Sequence, residues 1–160
     1  MSVQTTYGIT PAVAYLGMLA EQFSQRQIDS FLAEDVIIAG RAVERGTDPA
    51  TQVLQLSSAA TAVYGVSVAS YENIETPEGG LITYAANSSI AVMERGRIWV
   101  HAGGAVAVGA EVTPGLDALS SQWSTGANLL GLNRAFARSA AAAQGDLLLI
   151  ELVGPQGAVA

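Results

Sequence analysis

The sequence predicts a mainly β fold, a small β-barrel or β-sandwich with an extended N-terminal arm and a long loop at about 113–133. Three observations point there. Short β-branched runs recur at close spacing and are bounded by glycine, the pattern of brief strands joined by turns. Within them apolar and small or polar residues alternate at a period of two, as in Val63 to Ser70, which sends successive side chains to opposite faces of a sheet. No segment carries the sustained 3.6-residue period of a convincing long helix. At 160 residues the chain fits one domain, and a domain of this size buries about 70% of the surface its unfolded chain exposes, so a core is available.

Residues 1–20, "MSVQTTYGITPAVAYLGMLA", hold no charge, two glycines and one proline, which disfavours an uninterrupted helix. Such a segment needs something to lie against, and two readings stand: an arm that reaches a partner, or a strand on the chain's own sheet. As an arm it divides the chain into 1–20 and a β-rich domain over 21–160, and Tyr7, Pro11, Tyr15 and Leu16 become candidate contact residues. Next, "QIDSFLAEDVIIAGRAVERGTD" sets Gly40 and Gly46 around brief β-branched runs, although Ser24 with Gln27 also permits a capping box opening a short helix through Glu34. In the middle segment Val63, Gly65, Ser67 and Ala69 share one face and Tyr64, Val66, Val68 and Ser70 the other, a strand pattern. "ETPEGGL", Glu75 to Leu81, reads as a turn.

"SSIAVMERGRIWVH" reads as a hairpin turning at Glu94-Arg95-Gly96. The run after His101, "AVAVGAEV", reads as a resumed strand whose small residues offer a thin face to a second sheet or chain. Thr113 to Asn133 is polar and glycine-rich and reads as the long loop, with Trp123 inside it as a contact candidate, since aromatic anchors dominate interface energetics. Core burial is the alternative for Trp99. "RAFARSAAAAQ" is ambiguous between a helix, favoured by alanine, and an edge strand, suited by the spacing of Arg134, Phe136 and Arg138. "GDLLLIELVG" is a buried strand between two glycines.

Composition removes several function classes. The formal charge is -7, from 14 acidic and 7 basic residues, and the basic residues are scattered arginines. A nucleic-acid partner needs clustered positive charge, so none is expected. The longest uncharged run, Pro49 to Tyr71, carries Gln52, Gln55, Ser57, Ser58, Ser67 and Ser70, which would face lipid unsatisfied, so no membrane span is expected. The N-terminus lacks a positively charged leader region, so synthesis without cleavage in the cytoplasm is expected.

Without cysteine and with His101 as the lone imidazole, thiolate and multi-histidine metal sites are excluded within one chain, and no metal or cofactor is expected. A nucleophile paired with His101 would come from Ser88, Ser89, Ser120 or Ser121, yet none lies in a G-x-S-x-G elbow. The carboxylates Glu72, Glu75, Glu78, Glu94, Glu111 and Asp117 sit mainly at predicted turns, where solvation explains them. "GAVAVGAE" has the glycines of a phosphate loop but not its lysine or hydroxyl. No catalytic residue is assigned, and His101 reads as an outward or interface residue. A small-molecule-binding barrel and a small hydrolase using His101 are the alternatives.

The order of "PAVAYLGMLA", "IDSFLAEDVIIAGRAVERGT", "YGVSVAS", "MERGRIWVHAGGAVAVGAEV" and "AAAAQGDLLLIELV" resembles the phage structural cement proteins, small decoration subunits of tailed-phage capsids. That resemblance spans nearly the whole length, and alanine-rich "ARSAAAAQ" departs from it. It implies a β-rich virion protein on the outer capsid surface that bridges major capsid protein subunits and has no catalytic residues to transfer. It also implies self-association, a trimer before a dimer, in keeping with closed symmetry as the general rule.

Overall fold

The computed structural model describes residues 14–20, 26–57, 62–70, 81–115, 122–126 and 133–155. They form eleven strands and no helix: β1 (Gln27–Ala33), β2 (Ile37–Ile38), β3 (Ala42–Arg45), β4 (Gln52–Gln55), β5 (Gly65–Ser67), β6 (Thr83–Tyr84), β7 (Ser89–His101), β8 (Glu111–Pro114), β9 (Trp123–Thr125), β10 (Asn133–Ala137) and β11 (Leu147–Pro155). Five of them run in the order β1-β4-β3-β5-β7, and β7 pairs back onto β1, so the sheet closes into a small barrel. Only β1 and β4 are parallel, over Leu32↔Gln52 and Ala33↔Val53. Beyond the barrel β7 continues into a second sheet, β7-β11-β10-β8-β9, whose last strand returns to the first through a bridge from Trp123 to Ala102.

This arrangement yields two apolar cores. Phe31, Ala33, Val43, Val53, Ile90 and Val92 fill the barrel, with Ile37, Ala39 and Tyr84 packed on them from the β2–β6 ladder. The second core holds the barrel's outward residues Ala42, Val66 and Met93 against Ile98, Val100, Leu148 and Ile150 of the second sheet. Burial of these side chains is the main force holding the two sheets together, at about 25 cal/mol for each Å² of apolar surface removed from water.

The hairpin expected at Glu94-Arg95-Gly96 is corrected: β7 runs unbroken for 13 residues. What resembles a turn is the place where the strand changes sheets. The register against β1 shifts between Gln27 and Ile28, and Gly96 takes φ +132°, a conformation that bends the strand and that other residues rarely adopt. On the barrel side β7 pairs with β1 and β5; past Gly96 it pairs with β11, from Leu152↔Gly96 to Leu147↔His101.

Three further expectations change. The 113–133 segment is not loop throughout, because β9 pairs with β8 over Val112↔Thr125 to Pro114↔Trp123. Residues 133–137 form a strand flanked on both sides, by β11 and β8, rather than a helix or an edge. "AVAVGAEV" is not a continuous strand: Val106 makes one bridge to Ala141, Val108 is 65% exposed, and Gly109 turns at φ +83° before β8 begins. Gln27–Ala33 is strand rather than helix; Ser24 and most of Glu75 to Leu81 lie outside the described residues. Among the described residues no helix is long and apolar enough to cross a membrane.

Candidate contact surface

Of the N-terminal segment, residues 14–20 lie on the chain's own sheet. Gly17 N–H donates to Trp99 O at 2.8 Å, Trp99 N–H to Met18 O at 3.0 Å, and Ala20 N–H to Arg97 O at 3.1 Å, with Leu19 bridged to Ile98. These bonds occupy the edge of β7 just beyond the part covered by β1. On its other side Gly17 O accepts from Ala69 N–H at 2.9 Å, so one peptide links the second sheet to the barrel. Contact there is close: Gly17 has φ +76°, and a Cβ on it would lie 2.8 Å from Gly40 N.

The candidate contact residues separate accordingly. Tyr15 is 38% exposed. Leu16 is buried, and its side chain covers Gly40, whose own Cβ would meet Leu16 Cδ1 at 2.5 Å. It packs on this fold and is not available to a partner, which corrects the expectation for it. Trp123 is corrected as well: it is wholly buried in the second core, because its strand folds inward onto Ala102 and Val112. Among the described residues its indole Nε1 has no hydrogen-bond partner. Tyr7 and Pro11 lie outside the described residues.

The outward face of the second sheet carries a row of paired charges that no sequence motif announced. Glu151 of β11 accepts from Arg97 Nε of β7 at 3.1 Å and from Arg138 Nε at 2.6 Å. Burial pushes the Glu151 carboxyl up, but the bonds from Arg138 and Arg97 outweigh it and hold the group below its ordinary value. Arg134 of β10 grips Glu111 of β8 with two bonds of 2.9 Å, which hold that carboxyl low, and sits 5.2 Å from the Phe136 ring. The spacing in "RAFAR" and "LIEL" is the signal, since alternate residues of adjacent strands face one another. Trp99 and Leu149 continue this face as half-buried apolar neighbours in register.

At the barrel mouth Arg45 of β3 stacks 3.5 Å from the Tyr64 ring centroid and 4.9 Å from that of Phe31, a cation–π arrangement. The Tyr64 hydroxyl donates to Glu94. Both this hydroxyl and the Glu94 carboxyl are pushed up first by burial.

His101 closes β7 on the same outward face, half-buried, opposite Leu147. Burial and the nearby Arg41 cation lower its pKa, so the ring is neutral at pH 7. No hydroxyl or carboxylate among the described residues bonds to it. Of the candidate nucleophiles, Ser88 Oγ donates to Ala85 O instead, and Ser120 and Ser121 lie outside the described residues. Among the described residues no group of three or more carboxylate or imidazole side chains is placed to hold a metal ion.

The family model described as "Structural cement protein (E217 gp24/Pam3 gp6)" matches residues 3–153 of the chain. A chain in the structure "The capsid of Myoviridae Phage XM1" is similar at a TM-score of 0.65, covering 94% of this chain and 97% of that one at 16% identity; at that identity the likeness speaks for the fold alone. A second, "The crystal structure of head fiber gp8.5 N base in bacteriophage phi29", covers 80% of this chain and 94% of that one at 15% identity, with a TM-score of 0.45. No curated protein matches the sequence.

Proposed function

The chain belongs to the phage structural cement protein family, and from that premise we propose that it decorates and cements the outer surface of a tailed-phage capsid by bridging major capsid protein subunits. It is a capsid-associated structural protein of the virion; the bridging role, the outer placement and the self-association are the proposal. The family match over residues 3–153 is the observation that carries it.

Mechanically, each copy ties two or more shell subunits together through several modest contacts. A standard interface buries about 800 Å² per partner, and linking several in one oligomer raises avidity by roughly 10² to 10⁴. A homo-oligomer, trimer before dimer, supplies that multiplicity. Of the arm expected over 1–20, residues 14–20 lie on the chain's own sheet, so in this reading residues 1–13 are the part left to reach a partner and the capsid-binding domain of 21–160 takes in 14–20 as well; with Leu16 and Trp123 committed to the interior, the proposed contacts are Tyr7, Pro11 and Tyr15. Adhesion of this kind uses no turnover, no cofactor, no nucleic acid and no membrane.

Co-sedimentation with purified capsids is the test. The full chain is expected to pellet with capsids, and a chain lacking residues 1–13 to stay folded and lose occupancy. Failure of the full chain to pellet overturns the cementing role; undiminished occupancy of the shortened chain overturns the arm's part in it. Light scattering at micromolar concentration is expected to give a closed oligomer, and a stable monomer counts against it.

A further inference from the structure

Only one edge of β1 is covered along its whole length. Ala33 N–H donates to Ser88 O at 2.9 Å on the β7 side, and Leu32 N–H donates to Thr51 O at 2.9 Å on the β4 side. Peptide groups along a strand alternate in direction, so those of Asp29 and Phe31 turn toward β7 and those of Ile28 and Ser30 turn away from it. On that far side β4 begins at Gln52 and pairs with β1 only at Leu32 and Ala33. Among the described residues no hydrogen bond meets the N–H and C=O groups of Ile28 and Ser30. Asp29 and Ser30 are exposed and Ile28 is half-buried. The first half of β1 is thus an open strand edge, which is a template for one more strand.

The sequence supplies a segment that suits this edge. In "VQTTYGIT", residues 3–10, Val3, Thr5, Tyr7 and Ile9 alternate with Gln4, Thr6, Gly8 and Thr10, the period-two pattern of β-branched and aromatic residues that marks a strand. Pro11 follows, where a ladder would lose its donor. Residues 14–20 already occupy the edge of β7, so this pattern belongs to the part of the chain that precedes them. Charge agrees as well. Asp29 and Glu94 at the edge stand against Arg26 and Arg95, with Arg45 stacked on Tyr64 behind them, so neither sign is favoured on what docks. Residues 3–10 carry no charge. Two copies of formal charge -7 repel one another, and an uncharged segment is the part of one copy that approaches the other without that cost.

We propose that the first half of β1 is an acceptor edge, and that residues 3–10 of a second copy dock along it as an added strand through the N–H and C=O groups of Ile28 and Ser30. The inference rests on the self-association proposed above and names the surface that carries it. Contact of arm to barrel is head-to-tail, so copies joined this way close reciprocally as a dimer or in a ring as a trimer. Backbone bonds supply the attachment, and the alternating side chains of the arm set its register on Ile28 and Ser30.

Amide hydrogen exchange on the full chain over a range of concentrations, with light scattering at each, reads this contact residue by residue. Exchange at Ile28 and Ser30 is expected to slow as copies associate, by about tenfold where about nine chains in ten are associated. Asp29 and Phe31, whose N–H groups already face β7, should not change. In a mixture of isotope-labelled and unlabelled chains, filtered NOEs are expected between residues 3–10 of one copy and β1 of another. Thr6→Pro, which removes a donor from the added strand, should return Ile28 and Ser30 to their exchange in the dilute chain and leave Asp29 and Phe31 as they were. Oligomers in which Ile28 and Ser30 exchange as in the dilute chain overturn the inference and leave self-association standing. NOEs confined to one copy overturn it as well, since the arm then lies on its own barrel. A monomer at every concentration overturns both the inference and the self-association, while binding to purified capsids, measured separately, still decides the cementing role.

Discussion

Replacing Gly17 with alanine separates two costs that the fold places on the same residue. The backbone there has φ +76°, and a Cβ would lie 2.8 Å from Gly40 N and 3.0 Å from both Ala39 Cβ and Ala69 N. Two of those three neighbours are backbone atoms, fixed by the bonds Gly40 N–H to Ser67 O and Ala69 N–H to Gly17 O, so the strain cannot be relieved by a rotamer change. A left-handed conformation costs a residue with a Cβ about 1–2 kcal/mol, and overpacking adds roughly 1–3 kcal/mol. Gly17→Ala should therefore destabilise by about 2–5 kcal/mol. Two controls divide that figure. Gly145 has φ +87° with open space around it, so Gly145→Ala should cost only the conformational share, about 1–2 kcal/mol. Gly104 has neither constraint, so Gly104→Ala should be neutral or stabilising by up to about 1 kcal/mol. Urea unfolding of the three variants with a common m-value measures all of this. If Gly17→Ala costs no more than Gly145→Ala, residues 14–20 are not clamped between the barrel and the second sheet.

Leu148 is wholly buried in the second core, so Leu148→Ala should cost about 2–5 kcal/mol, read as a drop in the urea midpoint. Because Glu151 is held below its ordinary value, its contribution is complete above the unfolded carboxyl pKa and is lost as pH falls through the lower folded value; Glu151→Gln should flatten the acid limb of a melting-temperature profile while lowering stability at neutral pH. Trp99→Phe leaves Trp123 as the sole tryptophan, and its burial with an unpartnered Nε1 should give blue-shifted emission that resists acrylamide, whereas ready quenching would put that ring at the surface.

The β-rich architecture was legible because alternation and glycine punctuation are local signals. Short runs such as Gly65–Ser67 and the terminal Leu147–Pro155 appear where period and composition placed strands. Three features escaped for reasons of long range. Gly96 following Glu94 and Arg95 has the composition of a turn, and only the change of partners from β1 to β11 reveals a bend inside one strand. Trp123 stands in a polar, glycine-rich segment, yet pairing of a three-residue strand with β8 buries it. The Glu111–Arg134 and Arg97–Glu151–Arg138 pairs join residues 23, 54 and 13 positions apart, and no sequence window holds their register. Leu16 and Tyr15 are adjacent and similar in character, but one covers Gly40 and the other faces out; that difference is set by where the second sheet's edge runs.

For the joint between the barrel and the second sheet, the continuity of β7 matters more than any single contact. A strand of 13 residues spans roughly 40 Å at ~3.3 Å per residue, and it belongs to both sheets. Each of its edges is covered in two stages. One edge takes β1 and then residues 17–20; the other takes β5 and then β11. Pulling the barrel away from the second sheet would therefore load a covalent chain, and separating the sheets would also require extracting the apolar residues of the core between them. A hairpin at Gly96 would have ended the shared strand and left that junction to side-chain packing alone. The bend keeps the two sheets on one backbone, so their separation is fixed by the chain as well as by packing.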